Sequence, residues 1–217
     1  MEPFPRADER SRMVEQQIRA RGITNPRVLD TMREIPRHLF VPPPYTSSAY
    51  TDSPLPIGNG QTISQPYIVA LMTALLETRS EDHVLEIGTG CGYQAAILAR
   101  LVSHVTTIER IHDVADLARM NITSLGLKNV SIIVGDGTEG YRKNAPYNGI
   151  IITAATPQIP PPLIDQLDEG GTLVAPVGGR EIQELITLKK HHDRTVQSSH
   201  GGVRFVPLIG EHGWTDT

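Results

Sequence analysis

The sequence predicts a doubly wound α/β fold, a mostly parallel sheet with an antiparallel C-terminal finish and N-terminal helices in front of it. Three observations predict it. From Val84 onward, short runs that are apolar on both faces alternate with helical patterns, as strands do when helices cover both sides of a sheet. The stretch VLEIGTGCGYQAAILA, residues 84–99, runs from a strand through a glycine turn straight into a helix. Near the C-terminus the rhythm changes to strand, turn, strand.

Residues 1–53 read as helices and an irregular connection. Val14 and Ile18 stand one helical turn apart and Gly22 is a plausible stop. Asn25-Pro26 offers an N-cap with Pro at the first helical position, and Val28, Met32 and Ile35 continue at helical spacing up to Pro36. VPPPY, 41–45, reads as an extended, stiff connector. A long uncharged loop, 54–66, is too rich in Pro, Gly, Gln, Thr and Ser for a core strand, and a helix is expected from Tyr67 to Glu77. Strands are expected at Val84–Ile87, Val105–Ile108, Val130–Val134, Ile150–Thr153 and Leu173–Val177. Helices are expected at Gly92–Val102, around Val114 to Leu125, and briefly from Leu163 to Leu167 with Gly170-Gly171 as the stop. Glu184–Lys189, a break around Asp193-Arg194, and Val203–Leu208 supply the antiparallel end. The division expected is an appendage and connector, 1–53, and a main domain, 54–217, in one globular unit.

Composition narrows the function. A chain of 217 residues with 39% hydrophobic side chains can bury a sizeable core. A formal net charge of −4 gives no basic footprint for gripping phosphates, so no nucleic acid is expected. There is no apolar run of spanning length, hence no membrane, and the single cysteine, Cys91, fits a reducing cytoplasm.

The glycine turn invites a ligand to the positive end of a helix. A dinucleotide site needs G-x-G-x-x-G; Gly88 and Gly90 fit, but the third position is Tyr93 and the glycine comes early, at Gly92. The second strand ends in Glu109, where an acid pairs with ribose hydroxyls in nucleotide-binding α/β folds. The third runs into VGDGT, where Asp136 could accept the amino group of an adenine and Gly137 allows close approach. Glu86, inside the first strand, is a buried carboxylate in need of a partner. A cofactor carrying an ammonium and a sulfonium suits that acidity; a tight turn with no ligand is the bland alternative. The arrangement resembles the Rossmann-like class I methyltransferases that use S-adenosylmethionine.

The resemblance goes further. MVEQQIRARGI (13–23), IPRHLFVPP (35–43), PLPIGNGQTISQP (54–66), TIER (107–110), GDG (135–137) and VRFVPL (203–208) occur in order around the glycine motif. On these the sequence resembles the protein-L-isoaspartate O-methyltransferases over nearly its whole length. The resemblance implies methyl transfer from S-adenosyl-L-methionine, leaving S-adenosyl-L-homocysteine, to the free α-carboxylate of L-isoaspartyl residues in damaged proteins and peptides. The ester then closes to a succinimide, which hydrolysis opens partly to normal aspartate. Carried over by motif position, Ser64 is the active-site residue, and Pro66 and Tyr67 stand where its loop approaches the cofactor. Glu86, Gly88, Gly90, Cys91, Gly92, Glu109, Arg110, Asp136 and Gly137 are the implied cofactor residues; Thr62, Ile63, Phe205 and Val206 lie on the substrate side. The expected working unit is a monomer. One departure is Asn148, where family members often carry Asp; it is expected to precede the fourth strand and to matter little. The tail, 209–217, has no catalytic role assigned.

The chemistry accounts for the silence from Ser53 to Leu76, which contains no Asp, Glu, Lys, Arg or His. A carboxylate and a sulfonium lose charge together in the transition state, so a dry site lacking competing ions favours reaction. The carboxylate is already ionised at neutral pH, so no general base is needed and positioning by Ser64, with help from Thr62 and backbone amides, is the main contribution. Cys91 is expected to be an apolar lining residue, and the histidines, His191-His192 included, show no metal spacing. Two other readings remain: a methyltransferase with a different acceptor, and a non-enzymatic nucleotide-binding module. The absence of Asn-Pro-Pro-aromatic or an acid cluster after the fourth strand, where ITAATP stands, weighs against base methylation and metal-dependent catechol-type chemistry.

Overall fold

The computed structural model describes residues 4–192 and 194–216. Its N-terminal run begins with helix α1 (Ala7–Met13), widens into a π-helical turn at Val14–Ile18, tightens into a 3-10 turn at Arg19–Arg21, and stops at Gly22 with φ 96°. Helix α2 (Pro26–Glu34) starts on Asn25, whose side chain accepts from the Arg27 and Val28 amides. Its apolar face, Val28, Leu29 and Met32, is buried.

The proline run departs from expectation. Pro43–Ser48 is a 3-10 helix, entered from extended Pro42, rather than an extended connector. Proline's fixed φ suits the first turn of a helix as well as an extended chain, and the Tyr45 amide closes the turn on the Pro42 carbonyl at 2.9 Å. Arg37, wholly buried, holds the chain just past this helix: its Nε donates to the Ala49 carbonyl at 2.8 Å and its Nη2 to that of Ser53 at 3.5 Å. Its guanidinium lies 5.1 Å from the centre of the Tyr93 ring. Burial pulls its pKa down, and the neighbouring Tyr93 and Cys91 oppose that shift.

The uncharged stretch is not a loop. Strands β1 (Leu55–Gly58) and β2 (Gln61–Ile63) pair antiparallel, Leu55 with Ile63 and Pro56 with Thr62. Asn59 and Gly60, both at positive φ (50° and 69°), make the turn. Asn-Gly between alternating apolar residues is a hairpin signal, and Leu55, Ile57 and Ile63 are the buried side of it. Helix α3 (Pro66–Leu75) comes directly after it.

The main sheet has seven strands among the described residues, in the order β5-β4-β3-β6-β7-β8-β9. These are β3 (His83–Ile87), β4 (His104–Glu109), β5 (Val130–Val134), β6 (Tyr147–Ile152), β7 (Leu167–Gly178), β8 (Gln183–His191) and β9 (Arg194–Val203). The pairings from β5 through β7 are parallel, and those of β7–β8 and β8–β9 antiparallel, as expected. Helices α4 (Tyr93–Ala99) and α5 (His112–Ser124) lie with α3 and the N-terminal helices on one face, against Val84, Ile151 and Val174. The other face, with Leu85, Ile87, Ile150 and Leu173, packs on Leu163 of α6 (Pro161–Gln166), on Tyr147 and on Leu208. The N-terminal residues Met13, Ile18 and Met32 share the first of these two cores with the sheet.

Three boundaries differ from expectation. Leu167 leaves the helix and opens β7, which passes through Gly170 and Gly171 as a bulge: Tyr147 pairs with Leu167 but Gly149 with Thr172. The last strand is Arg194–Val203, not Val203–Leu208; the expected break at Asp193 lies outside the described residues. Residues 204–208 leave the sheet and cross its strand ends, where the Ala155 amide donates to Val206 O and the Leu208 amide to Ala155 O, both at 2.7 Å. Asn148, finally, is within β6 rather than before it. Its Oδ1 accepts from the His83 amide at 2.8 Å and its Nδ2 donates to Asp168 Oδ2 at 3.3 Å.

An Asn148→Asp change keeps the acceptor for His83 but sets a carboxylate against Asp168. Thermal unfolding is expected to register a loss of about 1 kcal/mol or less at neutral pH and low salt, because like charges across a pair repel by that order. The loss should shrink in high salt, since the site is exposed.

Candidate functional site

Strand β3 has β4 on one side and β6 on the other, so the chain reverses direction of winding between β3 and β6. Ligands of open α/β sheets bind outside the carboxyl ends at such a switch. Here that edge carries a cavity walled by the glycine turn, the ends of β4 and β6, the β1–β2 hairpin and the crossing segment 206–209.

The turn requires its glycines. Gly88, Gly90 and Gly92 have φ of 92°, 54° and 87°. A Cβ on Gly88 would lie 2.7 Å from Thr153 Oγ1, and one on Gly137 2.5 Å from Ile87 Cγ2. Neighbours hold the backbone so placed. The Gly88 amide donates to the Ile108 carbonyl at 2.9 Å. Glu109 Oε2 accepts from the Gly90 amide at 2.9 Å while its Oε1 accepts from the Ile111 amide at 3.0 Å. Thr153 Oγ1 reaches the Gly88 carbonyl at 2.6 Å.

Of the expected residues, Thr62, Ile63, Ser64, Gly88, Gly90 and Cys91 line this cavity, and so do Glu109, Arg110, Gly137 and Val206. Tyr67 and Phe205 instead line a second, adjoining cleft, with Arg21, His200 and Arg204 on its walls. Thr62 and Ser64 line both spaces. They form the partition between them. The Ser64 hydroxyl has no hydrogen-bond partner among the described residues.

Besides Tyr67, four expected cofactor residues are off the cavity wall. Pro66 is the buried first residue of α3. Gly92 is the N-cap of α4, pressed against Ile122 and Ala118 of α5. Asp136 is turned to its own chain: its Oδ1 accepts from the Thr138 amide at 2.8 Å and from the Thr138 hydroxyl at 2.7 Å, and its Oδ2 accepts from the Glu211 amide at 2.8 Å. Burial works to raise its pKa, but the hydrogen bonds from Glu211 and Thr138 outweigh it and hold the carboxyl below its ordinary value. A Cβ on Gly210 would collide with that carboxylate, so the tail lies directly on it.

Glu86 is the fourth. It is fully buried within the sheet, and its partner is Thr107, whose hydroxyl donates to Oε2 at 2.5 Å. Thr107 is in turn 2.7 Å from the hydroxyl of Thr89, on the cavity wall. Oε1 has no partner among the described residues. Burial first, and the charge of Glu109 second, push its pKa up to about 8 against the Thr107 hydrogen bond. Cys91 is likewise pushed up by burial, to about 11, so its thiol is no nucleophile at neutral pH.

Sequence reasoning missed Thr89, Thr153, Gln94 and Ile111 on this wall. Thr153 had a legible signal, since it comes just after the strand that returns beside the glycine turn. Among the described residues no cluster of side chains could hold a metal ion, and no helix is long and apolar enough to cross a membrane.

The family model for protein-L-isoaspartate(D-aspartate) O-methyltransferase matches residues 8–213. The chain belongs to that family. Protein-L-isoaspartate O-methyltransferases from Methanoregula boonei and Methanoculleus marisnigri are each 60% identical to it, covering 98% and 99% of this chain and 98% and 97% of their own lengths. A solved protein-L-isoaspartate O-methyltransferase superposes with a TM-score of 0.86 at 29% identity, over 94% of this chain and 67% of that one. A β-aspartate methyltransferase from Plasmodium falciparum, in complex with S-adenosyl-L-homocysteine, shares the fold with a TM-score of 0.80 at 24% identity, over 92% of this chain and 98% of that one. As a protein-L-isoaspartate O-methyltransferase the chain is an enzyme of methyl transfer to damaged proteins.

Glu86 makes folding sensitive to pH. Its folded pKa, about 8, is above the ordinary 4.5. Its contribution is therefore fully present below about pH 4.5 and is lost as pH rises through about 8. Relative to the parent, Glu86→Gln is expected to gain thermal stability steadily from pH 5 to 8 and no further above that; a difference that does not vary with pH would show that Glu86 titrates alike in both states.

Proposed function

We propose that the first cavity binds S-adenosyl-L-methionine, that the second cleft takes the isoaspartyl segment of a damaged protein, and that Ser64 orients the acceptor α-carboxylate between them. The observation that carries this reading is the partition: among the described residues, Thr62 and Ser64 alone border both spaces.

The first cavity suits the cofactor. Its turn has no side chain at Gly88 or Gly90 to obstruct a ligand. Glu109 retains acceptor capacity beyond its two backbone donors for a ribose diol. Ile108, Ile111 and Leu208 offer an apolar wall to a purine. Asp136 and Glu86 support the site from behind rather than by touching the ligand. When bound, the cofactor supplies a methyl on a sulfonium, which the substrate carboxylate displaces in line. The chain's own part is to align and to keep dry. The hairpin brings no charge, so it sets no competing partner beside either reacting ion. The free Ser64 hydroxyl can donate to the carboxylate without taking its proton, because that proton is already gone. The one cysteine, a buried thiol, supports a reducing cytoplasm.

Ser64→Ala is expected to lower kcat on an isoaspartyl peptide by about 10- to 100-fold, the scale on which lost orientation acts, with S-adenosyl-L-homocysteine affinity unchanged by calorimetry. The parent should transfer no methyl to the aspartyl twin of that peptide. Full turnover in the variant would remove Ser64 from the reaction.

A further inference from the structure

Asp52 is the last charged residue before the charge-free stretch, and it is bound to the part of that stretch just after the hairpin. Its Oδ2 accepts from Gln65 Nε2 at 2.7 Å and from Arg21 Nη1 at 2.8 Å; its Oδ1 takes the Tyr67 amide at 3.4 Å. Arg21 also lies flat on Tyr67, its Cζ 3.4 Å from the ring centre. Gln65 is the N-cap of α3 yet its own side chain makes no capping bond, and Pro66 has no amide hydrogen, so Tyr67 holds the first free donor of the helix. Asp52 satisfies it from outside. It acts as a cap in trans.

Ser64 is the residue between this clamp and the hairpin. On one side Ile63 is buried and paired with Leu55. On the other, Gln65 and Tyr67 are tied to Asp52. The Ser64 side chain has no hydrogen bond of its own among the described residues, so its direction is inherited from its two flanks.

We propose that Arg21 and Asp52 are positioning residues for methyl transfer, a clamp that fixes the C-terminal root of the hairpin and so aims Ser64 at the junction of the two spaces. The inference rests on the reading of Ser64 given above. Magnitudes favour geometry over stability as the role. The pair is partly exposed, 45% and 27%, and such pairs add little to folding. A displaced catalytic group, by contrast, costs up to about 10²-fold in rate.

The test measures kcat and KM on an isoaspartyl peptide, and S-adenosyl-L-homocysteine binding by calorimetry, for the parent, Asp52→Ala, Arg21→Ala, Arg21→Lys and Asp52→Ala combined with Ser64→Ala. Expected are a roughly 10-fold or greater fall in kcat for Asp52→Ala, with product affinity within about twofold of the parent. Arg21→Ala should fall less, and Arg21→Lys should recover only part of that, because an ammonium keeps the charge but not the flat stack on Tyr67. In the Ser64→Ala background, Asp52→Ala should cost nothing further, since there is no hydroxyl left to aim. Unchanged kcat in Asp52→Ala would overturn the clamp. So would full additivity with Ser64→Ala, a parallel loss of product binding, or an Arg21→Ala effect confined to KM, which would make Arg21 a peptide contact. A parent inactive on the peptide would overturn the reading of Ser64 itself, and this inference with it.

Discussion

The site depends on one carboxylate. Glu109 receives the Gly90 amide on one oxygen and the Ile111 amide on the other, tying the turn after β3 to the end of β4. Three glycines at positive φ are costly to order, since glycine loses more conformational freedom on ordering than any other residue, and this brace helps to offset that cost. The Thr153 hydroxyl fixes the opposite side of the turn through the Gly88 carbonyl. Open backbone for a ligand and a rigid place for it are thus obtained together. Glycine opens the space, and neighbouring strands supply the stiffness.

The same division recurs at the substrate side. The hairpin that carries Thr62 and Ser64 has no charge of its own, yet its two ends are held by charged groups set back from it. Arg37 grips the carbonyls of Ala49 and Ser53 before the hairpin, and Asp52 with Arg21 grips Gln65 and Tyr67 after it. Charge does the holding from outside the hairpin, with Arg21 also on the wall of the second cleft. Between the two grips, the surface exposed to the reaction is made of hydroxyls, amides and apolar side chains, and a charge-cancelling transfer favours such a surface.

Much of this is legible in the residues. Strands apolar on both faces announce a covered parallel sheet, and VLEIGTGCGYQAAILA announces the turn at its edge, because those patterns come from local backbone needs. The Asn59-Gly60 turn is equally local, but it hides in a stretch whose polarity is more conspicuous than its alternation. Composition misleads at VPPPY in the same way, where the prolines enter a 3-10 helix instead of an extended connector. Glu86 and Asp136 invite a reading as ligand contacts because acids in such places need partners. They have them, but within the chain: a threonine hydroxyl for one, and a turn and the C-terminal tail for the other.

Sequence alone determined the family and the order of strands and helices from β3 to β8, because each stems from residue types at fixed spacing. Only the folded chain decided which side chains face the ligand space. Arg21, Asp52 and Tyr67 meet across forty-six positions of sequence, and Asp136 meets a tail some seventy-five residues away. Contacts of that range leave no periodic trace in a single sequence, since they arise from how strands and helices pack rather than from what any one of them prefers.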